Sequence, residues 1–250
     1  MVSSRSLKST DNLRAVRDRV PLLGGLALIA IAFVIGSIAI GHGIRDRNQN
    51  NVIVVTGSAK KRITSDYIIW TLSVTSTQAS ATAAATELSG WTGKIRSFLT
   101  GQGVQPAELS VQPISTEAIS KGGQVRAYRL TRRFEVRSGR VREVTDIADH
   151  SAALLAQGIP LSADSPQYVY TKLSSLRPQL LAEATKDAQN RAKVIVKATG
   201  ASLGKLRGVD VGVFQVTSPN STQVEDYGVY DTSTVDKDVT AVVNVTFGVA

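Results

Sequence analysis

"DYIIWTLSVTSTQASATAAATELSGWTGKIRSFLTGQG", residues 66–103, changes period in its middle. In the first half Ile68, Trp70, Leu72 and Val74 fall on one side and Ile69, Thr71, Ser73 and Thr75 on the other. A period of two in a β-branched segment predicts a half-buried strand. In the second half Ala84, Leu88, Trp91, Ile95 and Phe98 recur at helical spacing, and Gly101 or Gly103 supplies a stop. A strand feeding a helix of this length makes a mixed sheet-and-helix domain the first expectation.

Working outward, "ELSVQPISTEAIS" (108–120) reads as a strand interrupted by Pro113, which favours an edge or a bulge. "KGGQ" is a turn, and "VRAYRLTRRFEVRS" (125–138) returns from it. Tyr128, Leu130, Phe134 and Val136 share one face of the returning strand; Arg129, Thr131, Arg133, Glu135 and Arg137 share the other. A second helix is expected from about Val141 to Gln157, with Val144, Ile147, Ala148, Ser151 and Leu154 inward. "GIPLSADSPQYVYTKL" (158–173) is a further strand. Residues 66–173 thus read β-α-β-β-α-β, the order of a split, ferredoxin-like unit.

Flanking this unit, "VIVVTGSA" (52–59) is expected to be a strand ended by Gly57. A third helix, spanning roughly 178–199, stops at Gly200. Its inner stripe is narrow and Ala-rich (Ala184, Ala188, Ala192 and Ile195), small enough for close backbone approach. Asp187 and Arg191 stand four apart and should pair. Strands follow at about 205–217 and 238–249, the last with Ala241, Val243, Val245, Phe247 and Val249 on one face. Between them, residues 218–237 read as a polar loop of a length that often serves binding or assembly or is simply disordered.

The N-terminal region poses a different question. No Asp, Glu, Lys or Arg lies between Arg19 and Arg45, and Leu22–Ile40 is apolar but for Ser37. About 20 apolar residues cross a bilayer, whereas a secretory signal core is usually about 7–15. Arg5, Lys8, Arg14, Arg17 and Arg19 precede the segment, while Arg45 and Arg47 follow it beside Asp46. Positive residues stay inside. The expectation is a retained signal anchor, with a cleaved signal as the competitor. The order becomes a cytoplasmic basic tail (1–19), a transmembrane helix (20–44), a linker (45–51) and an extracytoplasmic domain (52–250).

Composition excludes several chemistries. There is no cysteine, so thiol catalysis, disulfides and zinc–thiolate sites are absent. The formal charge is +9, but the excess beyond the membrane segment is mild and spread out, so no nucleic-acid partner is expected. Of the two histidines, His42 lies beside glycines and His150 on the polar side of the second helix. Glu225, Asp226, Asp236, Asp238 and Asp164 are the acids that general acid/base work would need, and all read as solvated loop residues. Thr56-Gly57-Ser58 and Gly101-Gln102-Gly103 lack phosphate-loop spacing. No catalytic, cofactor or metal site is expected.

The best polar candidate is the arginine row. Arg129, Arg133 and Arg137 project from one strand face and would suit an anionic lipid, a cell-wall polymer or an acidic partner. Glu135 lies among them and Glu117 lies across the hairpin, so an ion-paired solvent face is the plainer reading.

"LLAEATKDAQNRAKVIVKATGASLGKL", the following "VDVGV" and the closing "VTAVVNVTFGVA" resemble the C-terminal half of the SIMPL-domain family. "VIVVTGSAKKRITSDYIIWTLSVTSTQASATAAATEL" is similar to that family's opening. The most specific pieces are Asp187-Ala188, Arg191-Ala192, Thr199-Gly200-Ala201 and Leu203-Gly204. Members often carry proline where this chain has Ser65 before Asp66, and many have a cleavable signal. The resemblance implies a non-enzymatic protein of the bacterial periplasm or envelope, of a type linked to oxidative-stress defence and in some members to ring-like or channel-like oligomers. It lends no catalytic residue. The whole expectation is an α+β chain: one N-terminal transmembrane helix, a ferredoxin-like βαββαβ unit, an Ala-rich helix and C-terminal antiparallel strands. It is held at the inner membrane, its domain periplasmic, as a homo-oligomer with an envelope protein as a further partner.

Overall fold

The computed structural model describes residues 51–222 and 226–250. The cytoplasmic tail, the transmembrane segment and most of the linker expected from the sequence lie outside them. Among the described residues no helix is long and apolar enough to cross a membrane. The described residues divide into two compact units, one of Val55–Arg191 with Val209–Val245, the other of Ala192–Gly208 with Thr246–Ala250 and residues 51–54.

The strand–helix switch falls where the periodicity puts it. β2 (Tyr67–Gln78) buries Ile68, Trp70, Leu72 and Val74. Helix α1 (Ala81–Gly101) starts at Ser80, whose hydroxyl accepts from the Ala83 N–H. It buries Ala84, Leu88, Ile95 and Leu99, with Trp91 and Phe98 on the flank of the stripe. β5 (Gln124–Ser138) lies antiparallel to β2, pairing Leu72 with Phe134 and Trp70 with Val136. On its other side, β3 (Leu109–Val111) and β4 (Ser115–Lys121) are separated around Pro113 and both pair with β5. Proline has no N–H for the ladder, so the strand breaks there. Gly122 and Gly123, both at positive φ, make the β4–β5 turn.

The second helix begins as expected but is shorter. α2 (Val141–His150) gives way at Ser151 to the single turn α3 (Ala153–Ala156). Val144, Ile147, Ser151 and Leu154 remain buried. The expected strand after it is two short pieces, β6 (Leu161–Ala163) and β7 (Gln167–Val169), each antiparallel to a different half of β2. The sheet therefore runs β3 and β4, β5, β2, then β6 and β7, with α1, α2 and α3 contributing to the core on one face.

The first sheet has the order β1–β10–β8, with β9 also against β10. β1 (Val52–Thr64) does not end at Gly57; it runs on to Thr64 and turns into β2 through Ser65 and Asp66. Gly57 instead marks where helix α4 (Leu173–Ala198) crosses the strand. A Cβ there would lie 2.5 Å from the Ala188 nitrogen and 2.7 Å from its Cβ. The stripe on α4 is Leu176, Leu180, Ala184, Ala188, Ala192 and Val196; Ile195, expected inward, is exposed. β8 (Leu203–Val211) and β9 (Gln215–Thr217) replace the single strand expected at 205–217. β10 (Asp236–Val249) buries Val239, Ala241, Val243, Val245 and Phe247. The loop before it is tied down. Tyr168 N–H donates to the Thr232 carbonyl at 2.7 Å and Ser65 N–H to the Val235 carbonyl at 2.8 Å.

Candidate functional site

β8 ends the strand order of the first sheet, so one side of its backbone has no neighbouring strand among the described residues. Its apolar side chains are open as well: Leu206 is 55% exposed, Val209 45% and Val211 52%. Next to it, Gly212 N–H donates to the Val242 carbonyl at 3.0 Å, and a Cβ at Gly212 would stand 3.1 Å from that oxygen. Backbones this close hold Val211 and Val213 beside Val242. They wall a groove of about 550 Å³ that Thr240, Gln215 and Asp226 complete. The loop folds back to form its rim, with Val216 N–H donating to the Val229 carbonyl at 2.7 Å and Asp231 N–H to the Val216 carbonyl at 2.8 Å. The composition of this region hid the feature, because Val209, Asp210, Val211 read as an ordinary alternating strand. An open edge lined by valine is the kind of surface to which a further strand can add.

The arginine row lies where its alternation placed it, on the side of β5 away from the core. Ser73 faces Arg133, Ile69 faces Arg137 and Thr77 faces Arg129 across β2. Arg129 NH1 donates to Glu117 Oε2 at 2.9 Å, and Arg137 pairs with Glu135. Arg133, between them, has no ion pair among the described residues. The carboxylates anticipated from the sequence thus occupy two of the three cations. Arg132 departs from the row: its side chain is half-buried on the core side, where its Nε has no partner.

The acids sort differently from expectation. Asp238 is not a solvated loop acid; its side chain is only 2% exposed. Lys60 Nζ approaches it at 2.8 Å, Arg62 donates twice at 2.9 and 3.1 Å, and the Asn220 N–H donates at 3.1 Å. These donors, Arg62 foremost, hold its carboxyl well below the usual carboxylate range, so it remains charged and serves as a tie rather than a proton carrier. Lys237, on the opposite face of β10, is fully buried and donates to the Thr234 carbonyl. Burial pushes its pKa down, against the pull of Asp231 at 3.9 Å. Burial would raise Asp231, but hydrogen bonds from Ser233 and Thr234 outweigh it and leave it lowered. Asp164, Asp226 and Asp236 are exposed, and Glu225 lies outside the described residues. His150 is exposed with its Nδ1 2.6 Å from the Asp146 carbonyl. Among the described residues no three metal-ligating side chains come together.

The segments that carry the family resemblance meet in space. Ser58 N–H donates to Asp187 Oδ2 at 2.9 Å, and Arg191 Nε reaches the same oxygen at 2.8 Å. The backbone bond from Ser58, then Arg191, lowers the Asp187 pKa. Asp66 accepts from Thr171 N–H at 2.7 Å and from its hydroxyl at 3.0 Å, closing the β1–β2 junction over the start of α4. These acids fasten elements to one another. The described residues form a mixed α+β structure.

The family described as SIMPL, protein of unknown function (DUF541), matches residues 53–247. The chain belongs to this family. No curated protein matches it significantly.

Proposed function

We propose that this SIMPL-domain protein is a non-enzymatic component of the cell envelope that acts by self-association through the open edge at β8. The observation that carries this reading is the exposed Leu206, Val209 and Val211 on a strand with no neighbour on one side among the described residues. Two β8 strands set antiparallel about the Gly208–Val209 bond would face Arg207 with Asp210 and Leu206 with Val211. Cross-strand pairs of opposite charge and of apolar groups both favour pairing. β1 is the other end of the same sheet, so head-to-tail pairing of β1 with β8 would close rings instead.

The anchored topology rests on residues 1–44: a cytoplasmic tail (1–19), one transmembrane helix (20–44), then the domain on the periplasmic side. The order β4, β5, β2, β7, all antiparallel, with helices in the two crossovers, supports a ferredoxin-like description of residues 66–173. A role in stress defence is the expectation from the family.

Native mass spectrometry of the full chain released from detergent tests the assembly. A defined oligomer that Val211→Lys reduces to monomer is expected, because an edge lysine blocks strand pairing. A strictly monomeric wild-type chain at high concentration ends this reading. Protease shaving of intact spheroplasts tests the topology: residues 52–250 should be digested from outside, and protection would reverse the orientation.

Arg133, exposed and without an ion pair among the described residues, favours a second reading, a tethered module that binds anionic lipid or cell-wall polymer through Arg129, Arg133 and Arg137.

A further inference from the structure

We propose that the cleft at the start of α2 binds a phosphate group. The cleft, of about 270 Å³, lies between the β1–β2 junction (Thr64, Ser65), the first turn of α2 and Val235. That volume is below the ~300–1,000 Å³ of sites for drug-sized ligands, so it suits an ion or the charged end of a larger molecule.

Three independent features converge there. α2 has ten residues, and no side chain caps the N–H groups of its first turn. Those groups carry the positive end of the helix dipole, which an oxyanion neutralises. Ser65, 4% exposed, lines the cleft, and its hydroxyl has no hydrogen-bond partner among the described residues. A buried hydroxyl left unsatisfied costs free energy that a bound acceptor would recover. Arg142 on the same wall is exposed and has no ion pair among the described residues.

The neighbouring charges are accounted for. Arg140 is engaged by Glu108 and Glu143, both at 2.5 Å. Glu143 is the acid on the cleft wall and is neutralised by that contact. Thr64 turns its hydroxyl to Asp236 at 2.8 Å, outside the lining. A phosphate, with more acceptor oxygens than a carboxylate, can use the N–H groups of the first turn, the Ser65 hydroxyl and Arg142 together. The site is separate from the arginine row on β5.

The test is isothermal titration of the full chain in detergent with inorganic phosphate, and with methyl phosphate to stand for an ester-linked group. Saturable binding of either is expected. Ser65→Ala and Arg142→Gln should each weaken it about tenfold or more, as loss of a charge-assisted hydrogen bond does. Glu143→Gln should tighten it severalfold, a gain that a purely structural role would not produce. Binding of methyl phosphate as well as the free ion would identify an ester source; binding of the free ion alone would identify phosphate itself. Absence of binding, or binding that none of the three substitutions moves, overturns the proposal. Arg142 is exposed, so its variant remains informative if Ser65→Ala disturbs the fold.

Discussion

A methyl group placed on Gly57 would lie 2.2 Å from the Ala184 carbonyl oxygen, well inside van der Waals contact. The obstruction is helix backbone, which cannot step aside as the tip of a flexible side chain can. Gly57→Ala should therefore destabilise the domain by about 3 kcal/mol or more, at the high end of overpacking costs. Gly90→Ala, inside α1 with open space around it, should stabilise by about 0.5–1 kcal/mol. Urea midpoints of the two variants check the contrast in sign.

Asp238→Ala removes the acceptor shared by Lys60, Arg62 and the Asn220 N–H. Both cations are about half exposed and can turn to water, so the loss should be about 1–3 kcal/mol rather than that of a fully buried pair. Asp226→Ala, at an exposed position, should stay within about 0.5 kcal/mol of the parent.

Glu108 gives the domain an acid-sensitive tie. Arg140 first, then Ser138 and the Gln105 N–H, hold its pKa at about 2 against an ordinary 4.5. The folded-state pKa is depressed, so this contribution is complete above 4.5 and disappears as pH falls from there towards about 2. Thermal melts of Glu108→Gln should show a shallower fall in Tm over that window than melts of the parent.

If the arginine face binds polyanions, Arg133 should dominate, since Arg129 and Arg137 already face Glu117 and Glu135. Arg133→Gln should elute from an immobilised polyanion at lower salt than Arg129→Gln does. Equal elution of the two would show that the row does not act as a site. The triple glutamine variant should leave the oligomer mass unchanged if assembly runs through β8.

The core of the second sheet was legible because its signals are local. Ile68, Trp70, Leu72 and Val74 alternate, and the Ala84, Leu88, Ile95 stripe repeats at helical spacing. Pro113 and the Gly122-Gly123 pair break or turn the chain by their own stereochemistry. The arginine row followed from the same alternation, down to the glutamates that neutralise part of it. Gly57 was misread as a strand end because a glycine required by a crossing helix is locally indistinguishable from one that ends a strand. Asp238 looked solvated because Lys60, Arg62 and Asn220, distant along the chain, are what enclose it.

Sequence alone thus determined the order of the main strands and helices and the buried faces of β2, α1, β5 and β10, since period and turn chemistry act over a few residues. Its similarity to SIMPL members over residues 53–247 also placed the family. Only the tertiary structure decided that Val196 rather than Ile195 packs inward, that β8 is left as an edge, and that Ser65 closes a cleft with its hydroxyl unpartnered. Each of these depends on which distant backbone comes alongside, and no periodicity within a segment records that.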